Sequence, residues 1–363
     1  MKGAFFLGNR EFEVRDMEKR PLAADEVRIR VMACGVCGTD VHIYHGEAGS
    51  AEVTPPVVLG HEYAGIVEEV GADVKGLAPG DHVAVDPNIY CGACTPCRDG
   101  KKQFCEHLQA LGVTRDGGFA QYSAAPAAQC FKLAPELPFE AGAMAEPLAC
   151  CLHGIDAAGI RPGSTVCVIG GGAIGLLMVQ LARLSGAAKV ILSEPVELRR
   201  SAGLSVGADL AVDPLREDLS ARVREAAGKS GADVVIECVG NTAATRSAFE
   251  AAGFGATVLL FSVPAPTATV PLPLFDVYKK ELAIRGSFIN PDTHLRAVEL
   301  LSAGRINVEP LITHTFGIGE MEQAIRTKLT ELCFLASSSV RQVLRIVSIS
   351  VTASRKSFPF SLS

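Results

Sequence analysis

The sequence predicts an α/β fold in two parts, a mainly-β first half and a doubly wound parallel sheet behind it, on three observations. Short runs alternating at period two, separated by glycine and proline turns, fill residues 1 to about 145. From about 146 to 285, short continuous apolar runs suited to strands buried on both faces alternate with helical patterns. Near the start of that second part a glycine-rich turn at 170–175 separates such a run from a helix.

A length of 363 residues fits about two domains at ~150 residues each, and 48% apolar content can build a sizeable core. The formal net charge is −6 and the pI near 5.8, with acidic and basic residues scattered, so neither nucleic acid nor an anionic membrane is an expected partner. The apolar run Ala4-Phe5-Phe6-Leu7 is too short for a signal peptide, and no stretch of ~20 apolar residues follows. The expected compartment is the cytoplasm. There the 12 cysteines stay reduced, and close spacing among them points to metal or chemistry rather than disulfides.

In the first half, residues 26–33 alternate cleanly, and 65–71 and 82–85 follow as further strands between turn signals. Cys37 lies just beyond the first of these, and His61-Glu62 just before the second. A thiolate, an imidazole and a carboxylate make a three-ligand set that leaves one position on a tetrahedral zinc open, the composition of a catalytic site. Either element alone reads more readily as a buried cysteine or an ordinary His-Glu pair, and it is their company that points to a metal. Cys91, Cys94, Cys97 and Cys105 then follow at C-x2-C-x2-C-x7-C, four thiols able to close a tetrahedron around a structural zinc. A cysteine-rich surface loop and an iron–sulfur cluster are the alternatives. A cluster run places its fourth cysteine closer and follows it with proline, whereas Glu106 follows Cys105.

In the second half, the run 165–169 leads into Gly170, Gly172 and Gly175, which satisfy G-x-G-x-x-G, and then into the helical 176–182. Such glycines permit a tight turn, close approach to a pyrophosphate and tight helix-on-strand packing. The next strand, 189–193, ends at Glu194, where a carboxylate meets the ribose hydroxyls of NAD. Strands at 233–240 and 257–261 continue the pattern, while 282–288 and the helical 295–301 return to the first domain.

Taken together, Cys37-Gly38-Thr39-Asp40-Val41-His42, Gly60-His61-Glu62, the four-cysteine loop, Gly117-Gly118-Phe119-Ala120-Gln121-Tyr122, Ala145-Glu146-Pro147-Leu148 and the glycine turn carry a family likeness. A further element is Ile306-Asn307-Val308-Glu309-Pro310-Leu311-Ile312-Thr313-His314. As far as about Lys328 the chain resembles the zinc-dependent medium-chain dehydrogenases, in the sorbitol dehydrogenase and L-threonine 3-dehydrogenase branch. The resemblance implies a GroES-like zinc domain over 1–145, a Rossmann domain over 146–285 and a return to the first domain over 286–328. It further implies an active-site cleft between the domains, two zinc ions per subunit and a homotetramer.

Position by position, it makes Cys37, His61 and Glu62 the catalytic zinc ligands, with Glu146 beside the metal directly or through water. Thr39 and His42 match a proton relay to solvent, and Ile174, Glu194 and Arg199 match contacts to NAD. The activity so implied is NAD-dependent oxidation of a secondary alcohol on a small polyol or sugar alcohol, the cation stabilising the deprotonated alcohol before hydride leaves. L-threonine 3-dehydrogenase activity, on an amino alcohol, is the alternative. A catalytically silent structural or regulatory protein on the same fold is a third reading, against which the complete metal set and relay stand. Three departures qualify the likeness. Ser262 replaces a common glycine and is expected to crowd the cofactor, and Ile289 stands where sorbitol dehydrogenases often carry a substrate-binding arginine. Residues 329–363 lose the family pattern and are expected to form an atypical tail, disordered or only incidentally paired, in which 340–347 is still apolar enough for strand or helix.

Overall fold

The computed structural model describes residues 1–47, 51–330 and 345–349, with 329–330 and 345–349 described by backbone alone. Among these residues two large sheets organise the molecule. The first runs in the order Cys130–Lys132, His82–Val85, Glu62–Val70, Glu26–Val36, Arg345–Ile349 and Ile312–Phe316, with Tyr122–Pro126 also paired to Glu26–Val36. Glu26–Val36 is its spine. It bonds antiparallel to Glu62–Val70 with register shifts at Arg28/Ile29 and Val31/Ala33, the kind of bulge that bends and twists a long strand. Gly65 is required at the crossing, since a Cβ there would lie 2.2 Å from the Arg30 carbonyl oxygen.

Val27, Ile29, Val31, Tyr63, Val67, Val83 and Phe119 are buried in one core on this sheet. Met321, Ala324 and Ile325, from the helix Met321–Thr330, complete the same core from the far end of the chain. Of the stretch expected as an atypical tail, Arg345–Ile349 pairs parallel to Glu26–Val36 and antiparallel to Ile312–Phe316. Residues 331–344 and 350–363, and with them most of that expectation, lie outside the described residues.

The second sheet is parallel throughout, in the order Leu210–Val212, Lys189–Ser193, Thr165–Ile169, Ala232–Glu237, Ala252–Leu260 and Ala283–Gly286, so the run 282–288, expected to return to the first domain, instead supplies this sheet's edge strand. Thr165–Ile169 is buried along its whole length, as a continuous apolar run in a two-faced sheet should be. Its register pairs Ile169 with Ser193 and with Glu237, and Glu237 in turn pairs with Leu260 and Leu260 with Gly286. All the carboxyl ends therefore gather at one edge. Strand order reverses between Thr165–Ile169 and Ala232–Glu237, which is the topological switch point where such sheets bind ligands. The helix Ala145–Ala158 packs between the sheets, stopping at Gly159 with φ +68°.

Candidate active site

Cys37 caps the helix Gly38–Tyr44 directly after the spine strand, and its N–H donates to Asp40 Oδ2 at 2.8 Å. His61 and Glu62 open the strand Glu62–Val70 after a turn at Gly60, whose φ is +90°. A Cβ on Gly60 would lie 2.5 Å from the Phe119 ring, so only glycine fits. The same turn is clamped from above, because the N–H groups of Gly117, Gly118 and Phe119 donate to the carbonyls of Val58, Gly60 and Leu59 at 2.8, 2.7 and 2.9 Å. The 117–122 motif thus has a physical role, since it fixes the stretch that delivers His61.

The result is convergence. One ligand atom each from Cys37, His61 and Glu62 lies within 4.8 Å of the others, with His61 and Glu62 buried. Behind the imidazole stands Asp40, fully buried, its Oδ1 at 3.7 Å from His61 Nδ1. Burial pushes the Cys37 thiol and the Glu62 carboxyl up. Burial also works against a charged His61, but Asp40, Cys37 and Glu146 together outweigh it and hold the imidazole well above its usual range. Asp40 Oδ1, His61 Nδ1 and Glu62 Oε2 are buried without a hydrogen-bond partner among the described residues. A thiol, an imidazole and a carboxyl massed in a largely buried site with orphaned oxygens and nitrogen fit a divalent cation, which would deprotonate the thiol and satisfy the lone pairs.

Glu146, in the first turn of Ala145–Ala158, lies outside that ligand set but faces it. Burial raises its carboxyl to about 8, Glu62 adding to the shift and His61 opposing it. One turn on, Cys150 donates its thiol to Glu146 Oε1 at 3.4 Å. Thr39 and His42 ride the helix that Cys37 caps, His42 half exposed with Nδ1 2.5 Å from Glu47 Oε2. Lys328, which sequence reasoning passed over, faces Cys37, Glu62 and Asp40; burial lowers its ammonium, and those anions pull it back up.

The four-cysteine loop is a second site. Its sulfurs also lie within 4.8 Å of one another, with Cys91 exposed and Cys97 and Cys105 buried. Cys91 Sγ accepts from the N–H groups of Ala93 and Cys94, each at 3.4 Å, and these bonds lower its thiol to about 6. Cys105 Sγ accepts from the Cys91 N–H at 3.4 Å. Cys91 is thus prepared as a thiolate, whereas burial pushes the Cys97 thiol up to about 12; four sulfurs gathered this closely fit a closed tetrahedral metal, which would deprotonate them.

At the switch point, the glycines play different parts. Gly170 has φ +100°, and a Cβ on Gly175 would lie 1.8 Å from the Gly170 carbonyl oxygen, so the helix Ala173–Leu184 packs tightly on its strand. Around Gly172, at the helix cap, a Cβ would meet nothing within 4 Å, leaving a cradle open at the positive end of the helix. Ile174 sits partly buried in the first turn. Glu194 is buried, one oxygen accepting from the Gly171 N–H at 2.7 Å and the other from the Val196 N–H at 2.9 Å. Arg199 Nη1 stands 4.0 Å from Glu194 Oε2, and its Nε is buried without a partner among the described residues. Ser262, expected to crowd a cofactor, donates its hydroxyl to Glu237 Oε2 at 2.5 Å.

The chain matches the alcohol dehydrogenase GroES-like domain over residues 23–135 and the zinc-binding dehydrogenase family over residues 173–303. It belongs to the zinc-dependent medium-chain dehydrogenases. An L-threonine 3-dehydrogenase of Anaeromyxobacter sp. is 35% identical over 85% of this chain and 90% of that one. A sorbitol dehydrogenase of Bacillus subtilis is 31% identical over 91% and 94%. Among solved structures, a zinc-binding dehydrogenase from Sinorhizobium meliloti bound to NADP superposes with a TM-score of 0.87 at 38% identity, covering 96% of this chain and 98% of that one. This medium-chain dehydrogenase is thus an oxidoreductase of alcohols or polyols that uses zinc and a nicotinamide dinucleotide. No described helix is long and apolar enough to cross a membrane.

Proposed function

We propose that the protein oxidises a secondary alcohol of a small neutral polyol, with Cys37, His61 and Glu62 holding the catalytic zinc and NAD as the hydride acceptor. The observation that carries this reading is the largely buried convergence of those three side chains, with His61 Nδ1 and Glu62 Oε2 unpartnered among the described residues. When bound there, zinc supplies a Lewis acid that lowers the pKa of a coordinated hydroxyl. The chain's own residues do the rest. Asp40 holds the His61 ring from behind. Glu146, its carboxyl raised to about 8, holds or releases a proton beside the metal set, directly against it or through water. Thr39 and His42 carry the proton released from the substrate hydroxyl along one helix, and the exposed His42–Glu47 pair delivers it to water. Gly170, Gly172 and Gly175 cradle the diphosphate, with Ile174, Glu194 and Arg199 facing the nucleotide. A carboxylate at Glu194 accepts from ribose hydroxyls and repels a 2′-phosphate, which supports NAD over the NADP held by the Sinorhizobium protein.

Cys91, Cys94, Cys97 and Cys105 take the second zinc in this reading. The division into 1–145, 146–285 and 286–328 is supported by the two sheets and the two family matches, whereas the strand Arg345–Ile349, paired inside the first sheet, speaks against 329–363 as a wholly separate tail. Self-association, as a homotetramer in this reading, is supported by an apolar margin at the edge strand Ala283–Gly286, where Leu274, Phe275 and Tyr278 are exposed, Tyr278 to 80%; the cytoplasm is the proposed compartment. Threonine is the second reading, favoured by the threonine dehydrogenase relative and by Ile289 in place of an arginine. Metal analysis with a panel of polyols and threonine tests the whole. Two zincs per subunit, polyol turnover above threonine turnover and a preference for NAD are expected. Better turnover of threonine, or of NADP, would overturn the corresponding part.

A further inference from the structure

The parallel sheet has the strand order of a dinucleotide cleft, and a ligand there divides about the switch point. With the diphosphate at the glycine turn and one ribose at Glu194, the other half lies the opposite way, over the carboxyl ends of Ala232–Glu237, Ala252–Leu260 and Ala283–Gly286. That is the hydride-accepting half. The chain leaves this end of the cleft at Gly286 and reaches the helix His294–Ser302 through residues 287–293, so whatever holds those residues sets one wall of the cleft.

Asn290 holds them. It is fully buried, its Oδ1 accepting from Asn88 Nδ2 at 2.6 Å and its Nδ2 donating to Asp86 Oδ1 at 3.4 Å. Both partners are themselves fixed: the Asn88 N–H donates to Asp86 Oδ1 at 3.0 Å, and Gln129 Nε2 donates to the carbonyls of Asp86 and Asn88 at 3.3 and 2.5 Å. Asp86 directly follows the strand His82–Val85, which pairs antiparallel with Glu62–Val70, Ala84 opposite Ala64. Continued by two residues, that register brings Asp86 level with Glu62 of the metal set. On the far side of the lock, the Thr293 hydroxyl donates to the Ala149 carbonyl at 2.7 Å, on the helix whose first turn carries Glu146. The backbone between is forced, since Ile289 has φ +46°. A β-branched residue in the left-handed region costs free energy and persists only where its surroundings over-determine it.

We propose that Asn290 is a positioning residue: locked to Asn88 and Asp86, it holds 287–289 against the hydride-accepting half of the cofactor and keeps that half in line with the Cys37, His61 and Glu62 set. The assignment concerns hydride transfer itself and stands apart from the choice between polyol and threonine. The test compares Asn290→Ala, Asn88→Ala and the double variant in the zinc-loaded enzyme, with whichever of those substrates the wild type prefers. Single-turnover NADH formation should slow about tenfold in each variant, and slow further with substrate deuterated at the reacting carbon. KM for the substrate should stay within about threefold and both zincs should remain. The double variant should be no slower than either single one, because both cut the same 2.6 Å bond. A lower melting temperature with an unchanged single-turnover rate would show a merely structural asparagine, and additive losses would show that the two residues are not one lock; either overturns the assignment. If Asn290→Ala fails to fold, the single-turnover rate of Asn88→Ala decides in the same way.

Discussion

Cys91, Cys94, Cys97 and Cys105 all come from one loop, whereas Cys37, His61 and Glu62 come from the cap of a helix and the start of a strand on either side of the spine Glu26–Val36. The loop makes its own ligand field, with the backbone N–H groups of Ala93 and Cys94 turned onto Cys91. The other set exists only because Gly60, Phe119 and the 117–119 clamp bring His61 opposite Cys37. One cluster should therefore serve the fold and the other the chemistry. The local site sits near the surface with Cys91 exposed, while the assembled site is largely buried and carries oxygens without a partner among the described residues, which a bound ion would satisfy.

The contrast can be broken most sharply from the catalytic side. Cys37→Ser or His61→Ala should cut kcat at least about a thousandfold, ~4 kcal/mol of barrier, while one zinc per subunit remains at the four cysteines. Metal analysis beside the assay checks this, and loss of both zincs would show that the two sites are not independent. The next effect runs the other way. Cys94→Ser or Cys105→Ser should lower the melting temperature by roughly 5–10 °C, with turnover per folded molecule changed less than about threefold. A variant equally stable by calorimetry would leave the loop no structural role.

Glu146→Gln keeps the shape but removes the proton. A fall in kcat of about tenfold, with NAD affinity by fluorescence titration unchanged, is expected. Full activity would place Glu146 outside the mechanism.

The smallest effect comes from a polar cluster that touches neither metal site. Glu26 is buried between Arg20 and Arg115, and the Arg20 guanidinium, helped by the Ala23 N–H, holds its carboxyl down at about 2 against the pull of burial. A depressed carboxyl contributes stability that is complete above its unfolded range near 4.5 and is lost as pH falls through about 2. Glu26→Gln should cost about 1–3 kcal/mol at neutral pH and flatten the acid limb of the stability curve, read by denaturant melts across that window. An unchanged acid limb would mean that Glu26 has no part in it.

What the sequence disclosed follows the same divide. The four-cysteine spacing, the adjacent His61-Glu62 and the glycine turn are local patterns, and each stands in the structure as a local object. Parallel strands announced themselves because burial on both faces demands unbroken apolar runs such as Thr165–Ile169. Asp40, Cys150, Asn290 and Lys328 were passed over as single polar residues without a periodic signature, and only tertiary contact gives them neighbours. Even within the glycine turn, spacing placed Gly172 and Gly175 without distinguishing the open cradle at one from the steric necessity at the other. Ser262 shows the limit from the other direction. Nothing in the spacing signalled that Glu237, one strand over, accepts from its hydroxyl.

The packing of Phe316, Met321, Ala324 and Ile325 into a core whose other buried residues all precede residue 145 also sets an order of events during synthesis. The parallel sheet has all its described strands by Gly286, so it can close on the ribosome while the earlier core still lacks one wall. At ordinary rates of translation the residues between 145 and 321 take about 10–40 s to appear, and for that time the apolar face of the spine strand stays open to solvent or to chaperones. Chains cut short before Met321 should therefore be recognised as unfinished by quality control even though their parallel sheet is whole.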